Sequence, residues 1–126
     1  MYSYKPINKG GKSRDDCILC KIANKEIPTS LVYEDDLVAA FNDLSPQAPV
    51  HVLIVPKKHY QSVLEVPEGD KIVAHMFHVA SKLAKELGIA EKGFRLVINT
   101  GKDGGQSVPH LHLHMTGGRE HGWPAG

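Results

Sequence analysis

The octapeptide VPHLHLHM, residues 108–115, places His110, His112 and His114 on every second position, with Leu111, Leu113 and Met115 alongside them. Near neutral pH an imidazole can serve as nucleophile, acid, base or metal ligand. Alternation at period two predicts a strand with three imidazoles on one face and apolar side chains on the core face. A plain solvent-facing strand side is the alternative reading, although three identical titratable residues are a costly way to be merely polar. On a strand, residues two apart stand about 7 Å from each other and residues four apart about 13 Å. Neighbouring imidazoles can therefore share one small group. The outer two cannot meet at one atom unless the strand bends. The spacing favours a division of labour over three histidines on a single metal ion.

Directly upstream runs NTGKDGGQS, residues 99–107. Gly101, Gly104 and Gly105 permit backbone conformations that turn amides toward an anion. Ser107 adds a hydroxyl and Asn99 an amide. Glycines between strands are usually only turns. Placed immediately before an imidazole row, they suggest phosphate held against histidine. The Walker lysine-serine signature is absent, so the loop is not a P-loop. A second cluster is Cys17-Ile-Leu-Cys20, which holds both cysteines of the chain. Two cysteines do not make a secreted disulfide framework. In a cytosolic chain this spacing points to metal or redox chemistry, with two buried thiols as the plain alternative.

These groups need elements to position them. Residues 1–15 are polar, glycine-containing and lysine-rich, and read as a loose tail; residues 16–126 read as one domain. CILCKIANKEIP carries a short helical stripe of Ile18, Leu19, Ile22 and Ala23, ended before Pro28. SLVYEDD and LVAAFND read as two strands of a hairpin turning at Glu34-Asp35-Asp36. VHVLIVP is a β-branched run that predicts a well-buried strand. EGDKIVAHMFHVASKLAKELGI places Ile72, Val73, Met76, Val79, Ala80, Leu83 and Leu87 on one broad helical face, with Gly88 at the C-cap. FRLVINT and HLHLHM complete the strands. Strands before and after one main helix predict an α+β class with a mainly antiparallel sheet. His75 and His78 on the helix and His121 in the tail have packing or solvation as their default roles, and Lys57-Lys58 reads as a solvated pair.

The whole chain sets outer bounds. Its 126 residues amount to one domain, whose small core would gain from pairing with a second copy. Apolar residues make up 41% and charged residues 23%, the balance of an ordinary soluble protein. A formal net charge of +1 gives no reason to expect a nucleic-acid or membrane-surface binder. No apolar run is long enough to span a bilayer, and no apolar signal core follows Met1, so a cytoplasmic location is expected.

HLHLHM resembles the signature of the histidine triad (HIT) family. EIPTSLVYEDDLVAAFNDLSPQAPVHVLIVPKKH, GGQSVPHLHLH and GGREHGWPAG extend the similarity to its Hint-type branch, over nearly the whole chain after residue 17. One departure is Thr116, where the motif usually carries an apolar residue. The resemblance implies a HIT-like fold, with one long helix, a short N-terminal helix, and a sheet extended across a homodimer. It implies hydrolysis of purine nucleoside 5'-phosphoramidates, derivatives of AMP or GMP, through a covalent nucleotidyl-histidine and without a catalytic metal. Carried over, His112 is the nucleophile and His114 holds the phosphate oxygens. Ser107 and the backbone of Gly105, Gln106 and Val108 bind phosphate or leaving group. His51 and Asn99 line the site, and Asp43 takes the ribose hydroxyls. Ile18, Leu19, Ile22, Phe41 and Leu44 form a base pocket, with plain core packing as the alternative for each. Trp123 lies in a tail that reaches toward the partner's site. Some family members carry a cysteine pair that resembles half of a structural zinc site; its other ligands correspond here to His59 and His110. Rival functions are a dinucleoside polyphosphate hydrolase or nucleotidyl transferase, a nucleotide-binding scaffold dimer, and a zinc hydrolase using all three triad histidines.

Overall fold

VHVLIVP forms the spine of the sheet. Its seven residues, Val50–Pro56, make β3, and all but Val50 are buried. The computed structural model describes residues 17–126; the polar tail expected over 1–15 lies outside the described residues. The elements run α1 (Ile18–Ala23), β1 (Leu31–Glu34), β2 (Val38–Asn42), β3, a 3-10 turn (Val63–Glu65), α2 (Ile72–Glu86), β4 (Phe94–Val97) and β5 (Leu113–Gly117). The sheet order is β1-β2-β3-β5-β4, and every neighbouring pair is antiparallel. This is the α+β architecture that the alternation of patterns predicts.

Period two sorts β2, β3 and β5 into two faces. Val38, Ala40, Val52, Ile54, Leu113 and Met115 face α2 and pack with its Ile72, Met76, Val79, Ala80, Leu83 and Ala84. Ala39, Phe41, Leu53 and Val55 face the other way, onto α1 through Leu19, Cys20 and Ala23. His51 and His114 belong to this second face, beside Leu53 in the β3–β5 register. The sheet therefore carries its main core on one side, and a smaller core with His51 and His114 on the other.

The helix ends follow the sequence signals. Gly88 has φ +77°, and the Ile89 and Gly88 amides donate to the carbonyls of Ala84 and Lys85, the paired bonds of a Schellman cap. Asp35 sets the β1–β2 turn by accepting from the Leu37 and Val38 amides, and it also meets His75 Nε2 of α2 at 2.7 Å. His75 is thus a clasp between hairpin and helix. Lys57 departs from the expected solvated pair: it is half-buried and ion-paired to Glu34 at 2.7 Å. Thr116, the departure from the apolar pattern, lies 2.8 Å from His121 Nε2 and ties the C-terminal tail to the sheet.

The largest difference from the expected elements is at the histidine row. Only His114 lies within β5, which begins at Leu113. Pro109 has no amide to give to a ladder. The His110 amide instead closes on the Val108 carbonyl at 2.8 Å, and the Leu111 amide bonds Tyr60. The chain bends at 108–110 before it joins the sheet.

Candidate active site

The bend separates the three histidines physically. The His110 ring is fully buried and turns toward α1, with Nδ1 3.1 Å from Cys17 Sγ and 3.3 Å from Cys20 Sγ. Its Nε2 lies 2.9 Å from the Pro56 carbonyl, which can only accept, so the ring proton sits there and Nδ1 keeps its lone pair. His59 Nδ1 stands 3.1 Å from Cys20 Sγ, and its ring meets that of His110 edge-on at 4.9 Å. One ligand atom from each of Cys17, Cys20, His59 and His110 lies within 4.8 Å of all the others, close enough to hold one metal ion. Cys17 ionises far below the ordinary thiol value, at about 2, because of the Cys20 sulfur first and then His110 and His59, against the opposing effect of burial.

His112 faces the other way. Its Nδ1 donates to the His110 carbonyl at 2.6 Å, which leaves Nε2 unprotonated. His112 lines a cleft of about 340 Å³ whose wall is mostly apolar. Leu19, Ile22, Phe41, Leu44, Leu53 and Val108 supply its apolar lining, and Asp43, Ser107, His112 and His114 are among its polar groups. The His112 and His114 ring centres are 4.9 Å apart. His51 is buried behind them, with Nε2 3.0 Å from His114 Nδ1 and 3.5 Å from Asp43 Oδ2. Asp43 also accepts from the Ser45 amide at 2.8 Å.

The cleft thus brings together Leu19, Ile22, Phe41, Asp43, Leu44, Ser107, Val108, His112 and His114 from the residues named on sequence grounds. Ile18 is half-buried against the α1 side of the core, outside the cleft lining. Asn99 is half-buried after β4 and also outside that lining. Gly105 has φ +80° and ends the loop turn. Gln106 is buried; its side chain bonds the Gly101 amide and the carbonyls of Gln61 and Val108, so it shapes the loop from beneath. Trp123 is 85% exposed on the tail. Thr29, Asn42, Ser45 and Leu53 line the cleft without having been singled out. Asn42 and Ser45 flank Asp43 and Leu53 is two residues from His51, so strand period and adjacency could have found those three. Thr29 had no local signal.

His112, His114 and His51 all ionise below the ordinary histidine value of 6.5, with burial as the main cause in each. His114 is pushed down to about 4, since His112 and His51 add like-charge opposition. A histidine depressed by folding stabilises the fold fully above its unfolded value, and that contribution is lost as pH falls toward the folded one. Stability should therefore hold at neutral pH and fall progressively from 6.5 toward 4, as melting midpoints across that window will report. The acid limb of kcat/KM should likewise lie below 6.5, because the free His112 stays neutral there. An acid limb above that value would contradict the burial argument.

The glycine loop is tightly folded onto its own start. A Cβ on Gly104 would collide with the Thr100 carbonyl oxygen, a backbone atom that cannot swing aside. Gly104→Ala should cost about 1–3 kcal/mol in stability. It should also raise KM, because the loop's shift moves Ser107. Calorimetry and steady-state kinetics check both.

A sheet with a histidine-bearing bend at its cleft defines the class, and the family comparison agrees: the HIT domain pattern matches residues 24–121. The chain belongs to the HIT domain family. It is 48% identical over 106 residues to the purine nucleoside phosphoramidase of Escherichia coli K12, covering 83% of this chain and 89% of that protein. It is 50% identical over 113 residues to an uncharacterized HIT-like protein of Synechocystis, covering 89% and 98%. Among solved structures, a histidine triad protein from Clostridium difficile matches with TM-score 0.81 and 56% identity over 83% of this chain and 92% of that one. A HIT family hydrolase from Legionella pneumophila matches with TM-score 0.84 and 48% identity over 87% and 99%.

Proposed function

We propose that the protein hydrolyses purine nucleoside 5'-phosphoramidates to a nucleoside monophosphate and an amine. The observation that carries this is the His112 Nδ1 bond to the His110 carbonyl, which leaves Nε2 bare on a residue that lines a mostly apolar cleft together with Asp43, Ser107 and His114. The 48% identity to the E. coli phosphoramidase supports the same reading. Leu19, Ile22, Phe41 and Leu44 take the purine, and Asp43 takes the ribose hydroxyls as a two-oxygen acceptor. Ser107, with the nearby backbone amides, holds the phosphate end.

His112 Nε2 attacks the α-phosphorus, and the phosphorus–nitrogen bond breaks with its electron pair leaving on nitrogen. The departing amine takes a proton from solvent. Water then attacks the nucleotidyl-histidine, the phosphorus–Nε2 bond breaks, and the monophosphate leaves with release of a proton. His112 returns to its neutral starting state. The residues supply position and charge stabilisation, which is what phosphoryl transfer mainly requires. The direct test is incubation with adenosine 5'-phosphoramidate and chromatography for AMP. Turnover of the phosphoramidate well above that of diadenosine polyphosphates is expected; the reverse preference would favour the dinucleotide-hydrolase reading and overturn this one.

The sulfur and imidazole cluster fits zinc. Bond lengths of about 2.0–2.3 Å put ligands on a zinc tetrahedron roughly 3.3–3.8 Å apart, close to the separations here. The His110 Nε2–Pro56 bond also orients Nδ1 as a ligand's lone pair. Cys17, Cys20, His59 and His110 would hold the ion, whose contribution when bound is structural. A homodimer and a cytoplasmic location complete the proposal. The half-buried Phe94 and Leu96 on edge strand β4 and the exposed Trp123 support the dimer, and sedimentation velocity tests it.

A further inference from the structure

Gln47 lies in the loop between β2 and β3, and its backbone N–H is aimed at His51 Nδ1, 3.0 Å away. An amide N–H can only donate, so His51 Nδ1 holds a lone pair and the ring proton sits on Nε2. That Nε2–H faces His114 Nδ1 at 3.0 Å. His114 Nδ1 is then the acceptor, and the proton of His114 sits on its own Nε2. The reverse arrangement would set a protonated His51 Nδ1 against the Gln47 amide, donor against donor.

We propose that the Gln47 amide, acting through His51 as a positioning residue, locks His114 as a neutral Nε2–H donor to the substrate's phosphoryl oxygens. The remaining titratable groups around the pair are Asp43, from the loop after β2, and His112, from the lead-in to β5. Neither offers a place for an added proton between the two rings. His51 Nδ1 is occupied by the amide, and His114 Nδ1 already faces an N–H. The same logic removes a rival role for this trio. Ligand atoms of Asp43, His51 and His114 lie within 4.8 Å of one another, as a metal site would need. Ligation through His51 Nε2 would strip the ring of both protons while Nδ1 still accepts from Gln47.

The chemical consequence rests on the phosphoramidase reading. A neutral donor steadies phosphoryl oxygens in the substrate and in the nucleotidyl-histidine without gripping the product dianion as an imidazolium would. It is also not the acid for the departing amine. Loss of the Nε2 proton would leave an imidazolate, which is why solvent supplies that proton.

The test reads the rings directly. Long-range nitrogen–proton NMR of the full chain with nitrogen-labelled histidine, recorded without substrate, should show His51 and His114 as single Nε2–H tautomers. They should stay so at neutral pH and as the pH falls through the ordinary histidine value of 6.5. An Nδ1–H tautomer, or an imidazolium at neutral pH, on either ring would overturn the proposal. Gln47→Pro removes the amide donor, and Gln47→Ala keeps it. The proline variant should give mixed tautomers, an acid limb moved up toward the ordinary histidine range, and kcat/KM lower by about 10–100-fold. The alanine variant should keep the native ring spectrum. A folded proline variant with the native spectrum would overturn the lock, and if it does not fold the native spectrum decides alone. Absence of phosphoramidase activity would defeat the functional reading and leave the ring spectra standing, so the two failures are distinguishable.

Discussion

His112→Ala will hydrolyse adenosine 5'-phosphoramidate about 10⁴-fold or more slowly than the native protein, with the loss in kcat. The expectation rests on geometry more than on the histidine's identity. Its Nδ1 proton is spent on the His110 carbonyl at 2.6 Å, and burial holds the ring neutral, so Nε2 is an available electron pair at neutral pH. No neighbour can take over. His114 Nδ1 is engaged with His51 Nε2 at 3.0 Å, and His110 turns toward the cysteines. The cleft walls survive the substitution, so nucleotide binding should persist while turnover stops. Titration calorimetry with AMP separates the two. A variant that retains substantial turnover would remove the covalent route, and a nucleotidyl adduct trapped from a His114 variant would support it.

The second large effect is expected at the other end of the same bend. Purified protein should carry about one zinc per chain by elemental analysis. Cys17→Ser with Cys20→Ser should abolish that content and lower stability by several kcal/mol. Both sulfurs sit in a buried knot with His59 and His110 that closes α1 onto β3 and the lead-in to β5. Removing them leaves imidazoles facing an emptied core. Turnover measured well below the melting point should fall much less than stability, because the carbonyl that orients His112 belongs to the backbone. Metal-free native protein of undiminished stability would defeat the zinc assignment. Complete loss of turnover in a folded double variant would show that the cluster does more than hold the fold together.

Much of this was legible because periodicity is a strong signal. Val50–Pro56 coincides with VHVLIVP, and the α2 face matches its 3.6-residue pattern except at Leu87, which caps the helix and is exposed before Gly88 turns the chain. The histidine row was harder. Alternation says strand, yet Pro109 and the tight His110–Val108 contact override it, and the bend gives His110 a different face from His112. Strand spacing keeps the outer histidines apart only while the strand stays straight, and the bend at 108–110 removes that condition; it is the different facing of the rings that separates them. Gln106 enters the sequence reading only through its backbone amide, as the family resemblance implies; that its buried side chain braces the loop had no local signal. Contacts such as Thr29 at the cleft and the Gln47 amide on His51 depend on loop closure, which no local pattern encodes.

His110 occupies two roles through two different parts of itself. His112 meets only its carbonyl, which any amino acid would supply, while the cysteines meet only its ring. If turnover uses only that carbonyl, it places no demand on the side chain at this position. A lineage could acquire or discard the sulfur cross-link by substitutions at 17, 20, 59 and 110 without passing through an inactive ancestor. Robustness to heat or desiccation can then evolve on a separate track from catalysis, although the two share a residue.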